Sequence, residues 1–349
     1  MERTDSSLAA AAVMIAFALV PGSAQAGAPV SLRQTGLYGD GTQVRPDNLP
    51  FAPQYALWSD GADKRRWIHL PAGTSIDASG PEWSFPVGTR LWKEFSVAGR
   101  KIETRLIERE SAGWRFSAYA WNAAGTDATL VPPEGAEVTT PRGVYKIPGE
   151  TDCRACHEGR ATPVLGFSLL QLSPDRDPGA PRAGAREGGA GENLRTLAAR
   201  GMLRDLPERA LEQPPRVAAA TPTARAALGY LHANCGHCHN QRGPLAGLEM
   251  TLDPNEGIAA LLDSTVGRPS RFLPPGATDD AVRIAAGRPD LSVVVARMRA
   301  RDPLVQMPPL GTTVVDEEGL ALIERWIRET NSNTNTNTTN NKEKNHEHP

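Results

Sequence analysis

The sequence predicts a multidomain protein in which an all-β, sandwich-like domain precedes mainly α-helical modules. Six of the seven tryptophans in this 349-residue chain lie between Trp58 and Trp121. In the same region, 91–97 and 114–119 alternate apolar and polar residues with the period of two that is typical of strands. Further along, apolar residues recur at helical spacing in 221–233. Strands are therefore expected first and helices afterwards.

Turn signals and composition divide the chain into five segments. We predict a signal peptide (1–26), a β domain (28–148), an atypical module with a Gly-rich loop (149–216), a helical domain (217–330) and a disordered Asn/Thr-rich tail (331–349). Hydrophobic residues make up 40% and charged residues 22% of the chain, as is usual for globular protein. The net charge of −2 argues against a general nucleic-acid binder, so no nucleic-acid partner is expected.

The N-terminal segment has the pattern of an export signal. Its apolar run from Leu8 to Val20 has 13 residues, whereas a bilayer-spanning helix needs about 20. A small-x-small sequence follows at 24–26, as at a signal-peptidase site. We therefore expect a periplasmic mature protein without a transmembrane segment. The alternative is a buried N-terminal helix, which would normally show polar positions with a period of 3.6 residues.

The cysteines carry the clearest chemical pattern in the chain. All four lie in two C-x-x-C-H motifs, the first made of Cys153, Cys156 and His157 and the second of Cys235, Cys238 and His239. This pattern attaches haem c: two thiols form thioethers with the porphyrin, and the adjoining imidazole ligates the iron. At the start of a helix, residues three and four apart share a face, so both sulfurs and the imidazole reach one macrocycle. Two covalently bound haem c groups are therefore predicted.

Two other interpretations of the cysteines compete with haem attachment. Two C-x-x-C pairs can form a tetrahedral zinc site, but the distance in sequence from Cys156 to Cys235 far exceeds that of a zinc ribbon. Exported cysteines can also form disulfides. Neither alternative explains why a histidine closes each pair.

The second motif has the surroundings of a known domain type. Downstream of it, Met307 precedes Pro308 and Pro309, and a proline disfavours α geometry at the residue before it, so we expect an extended loop that offers the thioether. Helix, C-x-x-C-H, Met-Pro-Pro loop and terminal helix resemble, in that order, a class I cytochrome c domain covering 217–330. This resemblance implies that His239 and Met307 are the axial ligands of haem 2. A core-filling role is the alternative for Met307.

The first motif is less regular. Residues 144–151 read as a strand or loop broken by Pro and Gly, so no amphipathic helix precedes it. His157 is the predicted iron ligand of haem 1. Met202 is the candidate sixth ligand, weighed against a plain packing role. A five-coordinate haem 1 is the other possibility.

The mature chain as a whole is similar to a family of exported bacterial dihaem c-type cytochromes that are mostly conserved hypothetical proteins. The residues that carry the resemblance are 57–65, 83–89, 165–172 and 233–240. The resemblance implies redox work in the periplasm but no particular substrate.

Three functions remain open at this stage. The first is single-electron transfer between a periplasmic redox protein or dehydrogenase and an acceptor, without turnover of a substrate. The second is a dihaem oxidoreductase, similar to a peroxidase, in which an open haem 1 binds a small ligand. In the third, the β domain docks the cytochrome on a substrate-oxidising partner.

The two motifs predict the mass of the mature protein. Material exported by a host that attaches haem c should carry two haem additions per chain, because each C-x-x-C-H motif supplies both thiols. Intact-mass spectrometry after denaturation measures this, since thioether-bound haem stays on the chain. In the double variant Cys153→Ser and Cys156→Ser, one addition should remain. A colourless protein that carries zinc instead would contradict the prediction.

Overall fold

The computed structural model describes residues 27–182, 189, 191–276 and 281–330. The predicted signal peptide, the predicted tail and part of the predicted Gly-rich loop lie outside these residues. In the described part of the chain, no helix is both long enough and apolar enough to cross a membrane.

The described residues form ten strands and seven α-helices. The strands are β1 (Leu49–Phe51), β2 (Asp63–His69), β3 (Ile76–Asp77), β4 (Arg90–Val97), β5 (Arg100–Glu110), β6 (Gly113–Trp121), β7 (Ala128–Leu130), β8 (Ala136–Thr140), β9 (Gly143–Ile147) and β10 (Leu203–Arg204). The helices are α1 (Glu150–His157), α2 (Leu194–Ala199), α3 (Arg209–Glu212), α4 (Pro222–Asn234), α5 (Ile258–Thr265), α6 (Val293–Arg299) and α7 (Glu317–Glu329).

The largest element is a six-stranded antiparallel sheet in the order β1-β2-β4-β5-β6-β7. Consecutive residues of a strand point to opposite faces, and in β4 this sends Trp92 to one face and Leu91 to the other. The register pairs Trp92 with Trp67 of β2 and Leu106 of β5. Both faces of the sheet therefore carry large apolar side chains that must be buried.

Each face is covered by a different part of the chain. The N-terminal residues Leu32, Leu37 and Tyr38 pack over the face that carries Trp92. The β8–β9 hairpin covers part of the opposite face through Tyr145 and Ile147. Side chains from the segment after the first motif cover the rest of that face, namely Val164, Phe167, Leu172, Leu194, Leu197 and Leu203.

The C-terminal part has a separate core between α4, α5, α6 and α7. Its centre includes Leu231, Leu261, Ile323 and Trp326, all buried. Tyr55, from the segment between β1 and β2, also packs into this core. Because a residue from the N-terminal part lies among these helices, the two parts of the chain are joined by packing.

The fold class predicted from the sequence was wrong. The protein is mainly β-sheet, and only 25% of the described residues are helical, so the C-terminal part is not made of mainly α-helical cytochrome modules. Even α4 and α7 have 13 residues each, and long irregular segments separate the helices. In addition, the apolar side chains after the first motif pack on the sheet and do not form a helical core of their own.

The packing of Tyr55 on α4 gives a test of this interface. A Cβ added at Gly229 would overlap the Tyr55 ring, which is held by its hydrogen bond of 2.9 Å to Asp177. Gly229→Ala should therefore destabilise the protein by about 1–3 kcal/mol, the usual cost of overpacking, although alanine is the better helix former.

Chemical denaturation followed by circular dichroism measures this change. Gly247→Ala is the matched control, because a Cβ there meets open space, and it should shift stability by no more than about 0.5 kcal/mol. Equal stability of the two variants would argue against the packing of Tyr55 on α4.

Candidate functional site at the two C-x-x-C-H motifs

The first motif lies on α1, which places its cysteines and histidine at helical spacing. Helix α1 begins after Gly149, and Asp152 accepts a hydrogen bond of 3.3 Å from the Gly149 amide. Burial raises the pKa of the Cys153 and Cys156 thiols to about 11. Both cysteines are therefore protonated thiols at neutral pH.

The imidazole of His157 is partly buried and held in one orientation. Burial lowers its pKa to about 4, so the ring is neutral at pH 7. Its Nδ1 lies 2.6 Å from the carbonyl oxygen of Pro163. Because a carbonyl can only accept, Nδ1 carries the proton and donates it, which leaves the lone pair of Nε2 available to a metal. A neutral, oriented imidazole is the form that ligates iron.

The sheet lies directly beneath the first motif. The Phe116 ring of β6 is 5.5 Å from the His157 ring, centroid to centroid, and also faces the Arg154 guanidinium at 5.3 Å. Lys93 of β4 and Arg105 of β5 lie close enough to lower the His157 pKa further. The motif therefore packs against a part of the sheet that carries Phe116, Lys93 and the Arg105–Glu103 ion pair, and sequence reasoning missed this contact.

The second motif begins where α4 ends. Cys235 is the C-cap residue of α4, and its carbonyl accepts the amides of Cys238 at 3.1 Å and of His239 at 2.9 Å. Burial lowers the pKa of His239 to about 4, helped by the charges of Arg297 and Arg283. The buried Nδ1 of His239 has no hydrogen-bond partner among the described residues.

Met307 is held beside α6, which also carries a cation close to His239. The amide of Met307 donates a 3.0 Å hydrogen bond to the carbonyl oxygen of Arg297. The guanidinium of Arg297 is near enough to His239 to lower its pKa. Arg297 therefore lies near both residues that the sequence predicts as axial ligands of haem 2, through its carbonyl oxygen for Met307 and through its charge for His239.

The two motifs contact each other, although residues 158–234 separate them in sequence. The Asn240 side-chain amide donates to the carbonyl oxygens of Gly159 at 3.2 Å, Gly236 at 3.0 Å and His237 at 3.1 Å. A Cβ at Gly159 would overlap the His237 carbonyl, so only glycine permits this approach.

A cysteine of the second motif also contacts the first motif. Cys238 Sγ lies 4.0 Å from the carbonyl oxygen of Ala155. Burial is the main cause of the raised pKa of Cys156. The nearby Cys238 raises this pKa further, because two negatively charged sulfurs would repel each other. Cys156 and Cys238 are therefore neighbours in space, although they belong to different motifs.

A buried ion pair supports the contact between the motifs. Arg160 donates to the carbonyl oxygen of Gly236 at 3.2 Å and pairs with Asp253 at 2.7 Å. Asp253 also accepts a 3.0 Å hydrogen bond from the His232 ring. Burial alone would raise the pKa of Asp253, but its hydrogen bond and attraction to His232, followed by the charge of Arg160, lower it to about 2.

Met202 is the remaining candidate ligand. It packs against the hydrophobic cluster that contains Phe167 and Leu197, and its amide and carbonyl bind Leu197 and Ile76. These surroundings are hydrophobic, and the assignment of Met202 as sixth ligand of haem 1 stays a prediction. All four cysteines are free, and within the described ranges no group of three or more His, Cys, Asp and Glu side chains could hold a metal ion.

Comparisons of the chain with family models, with curated proteins and with solved structures found no match. The arrangement of the two motifs therefore has to be interpreted from its own chemistry.

The network around Asp253 predicts a change in stability with pH. Because the pKa of Asp253 is lowered from 3.8 to about 2, its contribution is present above pH 4 and is lost as the pH falls through about 2. Asp253→Asn should cost about 2 kcal/mol at pH 7, and the difference from the native protein should narrow below pH 4.

Chemical denaturation at pH 7, 4 and 3 measures this difference. Asp290→Asn is the control, because Asp290 pairs with Arg288 in an exposed position, and exposed ion pairs contribute little. A cost for Asp253→Asn that does not change with pH would show that the carboxylate charge is not what stabilises the contact.

Proposed function

We propose that the protein is an exported dihaem c-type cytochrome that relays single electrons between a periplasmic redox protein or dehydrogenase and an acceptor. The observation that carries the proposal is the direct contact of the two C-x-x-C-H motifs through Asn240 and Gly159. Two redox groups attached to touching segments of chain are suited to exchanging electrons with each other.

The residues present fit covalently attached haem at both motifs. Cys153 and Cys156 would bind the first group and Cys235 and Cys238 the second, as free thiols at the required spacing. His157 and His239 would ligate iron, and Met307 would be the second ligand at the second motif. The tautomer of His157, imposed by the Pro163 carbonyl, presents Nε2 for this purpose. When bound, haem supplies an iron that alternates between the ferric and ferrous states.

The chain's own residues prepare both sites for electron transfer without proton uptake. Because burial lowers the pKa of His157 and His239 to about 4, neither ring takes a proton at neutral pH. One electron enters from the donor, which is oxidised, and one leaves to the acceptor, which is reduced. The Asn240 and Arg160 hydrogen bonds hold the motifs together, so the spacing between the sites is set by the protein.

A second candidate function is favoured by the surroundings of His157. The side chains of the sheet that lie near it are Phe116, Lys93 and Arg105, whereas Met202 packs in a hydrophobic cluster. If haem 1, at the first motif, has no methionine ligand, its site would suit an oxidoreductase that binds a small ligand at iron. Docking on a partner through the β domain is compatible with either function.

Replacing Met307 tests the relay and its second site. In the loaded protein, Met307→Ala should remove the sulfur-to-iron band at the red end of the ferric spectrum and lower one reduction potential, since a thioether favours ferrous iron. Met250→Ala is the control, because Met250, like Met307, is partly buried, and it packs against the C-terminal core; it should leave the band and the potential unchanged.

The same loaded protein separates the two candidate functions. A relay should titrate reversibly in one-electron steps and consume no peroxide. Rapid binding of carbon monoxide to half of the ferrous haem, together with peroxide consumption, would favour the oxidoreductase. A colourless protein would exclude both.

A further inference from the structure

The short segment 56–61, between β1 and β2, lies far from both motifs in sequence but contacts both sides of the second site. It forms part of the polar stretch 57–65 that carries the family resemblance, where Asp-Gly is a common turn signal. In the structure it does more than turn the chain, because its backbone binds the side chain of Asn234, next to Cys235, and its side chains bind residues in the loop after Met307.

Asp60 binds the loop that follows Met307. Its carboxylate accepts hydrogen bonds from the Thr313 amide at 2.9 Å, the Val314 amide at 3.0 Å and the Thr313 hydroxyl at 2.8 Å. The backbone of Asp60 is left-handed, with φ of 50°, a conformation that Asp tolerates better than most residues. Hydrogen bonds to an ionised acceptor are stronger than neutral ones. The three hydrogen bonds from Thr313 and Val314 to Asp60 are of this stronger type.

Trp58 binds the same loop and the second motif at once. Its indole N–H donates to the Val314 carbonyl at 2.9 Å, and its amide donates to the Asn234 side chain at 2.7 Å. Asn234 is buried, directly precedes Cys235, and donates in turn to the carbonyl oxygens of Ala56 and Tyr230. The segment thus contacts the residue before Cys235 on one side of the site and the loop after Met307 on the other.

The Met307 loop is restrained at both ends. At one end the Met307 amide is bonded to Arg297 of α6. In the middle, Gln306 donates to the carbonyl oxygens of Pro308 and Thr312, each at 3.2 Å. At the far end Asp60 holds Thr313 and Val314. Without Asp60, the hydrogen bonds left to the second half of the loop among the described residues would be those of Thr312 to Gln306 and Arg301, that of Val314 to the Trp58 indole, and the capping of α7 by Asp316.

We propose that Asp60 is a positioning residue for the Met307 thioether, and that segment 56–61 sets the separation between the His239 and Met307 sides of the second site. This inference rests on the proposed function, in which Met307 ligates haem 2. It gives the β domain a role at the second site: it closes that site from outside residues 217–330.

Asp60→Gly in the full-length, haem-loaded protein tests the proposal. Glycine removes every acceptor of the side chain and adopts the left-handed backbone without strain. We expect a weaker sulfur-to-iron band and a lower potential at one haem. Imidazole, which competes with the thioether for ferric iron, should bind about tenfold more tightly, because the variant loses three hydrogen bonds to a charged group and one such bond alone is worth about that factor.

Asp205→Gly is the matched control. Asp205 also has a left-handed backbone, with φ of 56°, and its exposed side chain pairs only with Arg204 among the described residues. The control should keep the band, the potential and the imidazole affinity of the native protein. A merely structural role for Asp60 would lower the unfolding midpoint of Asp60→Gly and leave these three readouts unchanged, and that result would overturn the proposal.

A second variant covers the case in which Asp60→Gly does not fold. Asp60→Asn keeps the left-handed backbone and one acceptor oxygen, so its imidazole affinity should lie between those of the native protein and Met307→Ala. If Asp60→Gly does not fold and Asp60→Asn binds imidazole with the same affinity as the native protein, the positioning role is contradicted. Failure of the proposed function looks different, because then the native protein either lacks haem or shows no change with Met307→Ala.

Discussion

The six-stranded sheet has to be buried on both faces, and most of the architecture follows from that requirement. Apolar side chains such as Trp92 and Phe95 point to opposite sides of β4, so the sheet needs two covers. The N-terminal residues supply one, whereas the β8–β9 hairpin and the segment after the first motif share the other. Helix α1 has only eight residues, too few to be stable alone. The sheet therefore gives the first motif the support that a short helix cannot provide.

Buried ion pairs lie between segments that are distant in sequence, and they fix how these segments meet. Arg160 and Asp253 join the surroundings of the two motifs, and Arg182 and Asp316 join the middle of the chain to the start of α7 at 2.6 Å. The desolvation of such pairs offsets much of their attraction. Their main contribution is to make other arrangements of the same segments costly, since any other arrangement leaves a charge buried without its partner.

Local patterns predicted local structure well. The alternation in 91–97 coincides with β4, and the helical spacing in 221–233 coincides with α4. Periodicity does not reveal which surface an apolar side chain will cover, so the packing of Phe167 on the sheet and the small helical content were missed. At the site, spacing alone suggested the cysteines and histidines. The Pro163 carbonyl and the Asn240 contact were missed, because a backbone carbonyl leaves no trace in the sequence and a single Asn between distant segments forms no motif.

The contact between Asn240 and Gly159 shows that the chain tolerates changes in loop length between the motifs but not a side chain at the contact itself. Closing a longer loop between the motifs costs little, about 0.6 kcal/mol for each doubling of its length, so added length in this connection is inexpensive. The contact itself has no such tolerance, because the His237 carbonyl occupies the space of any side chain at Gly159. Related chains can therefore differ widely in the length of this connection while keeping a glycine two residues after the first histidine.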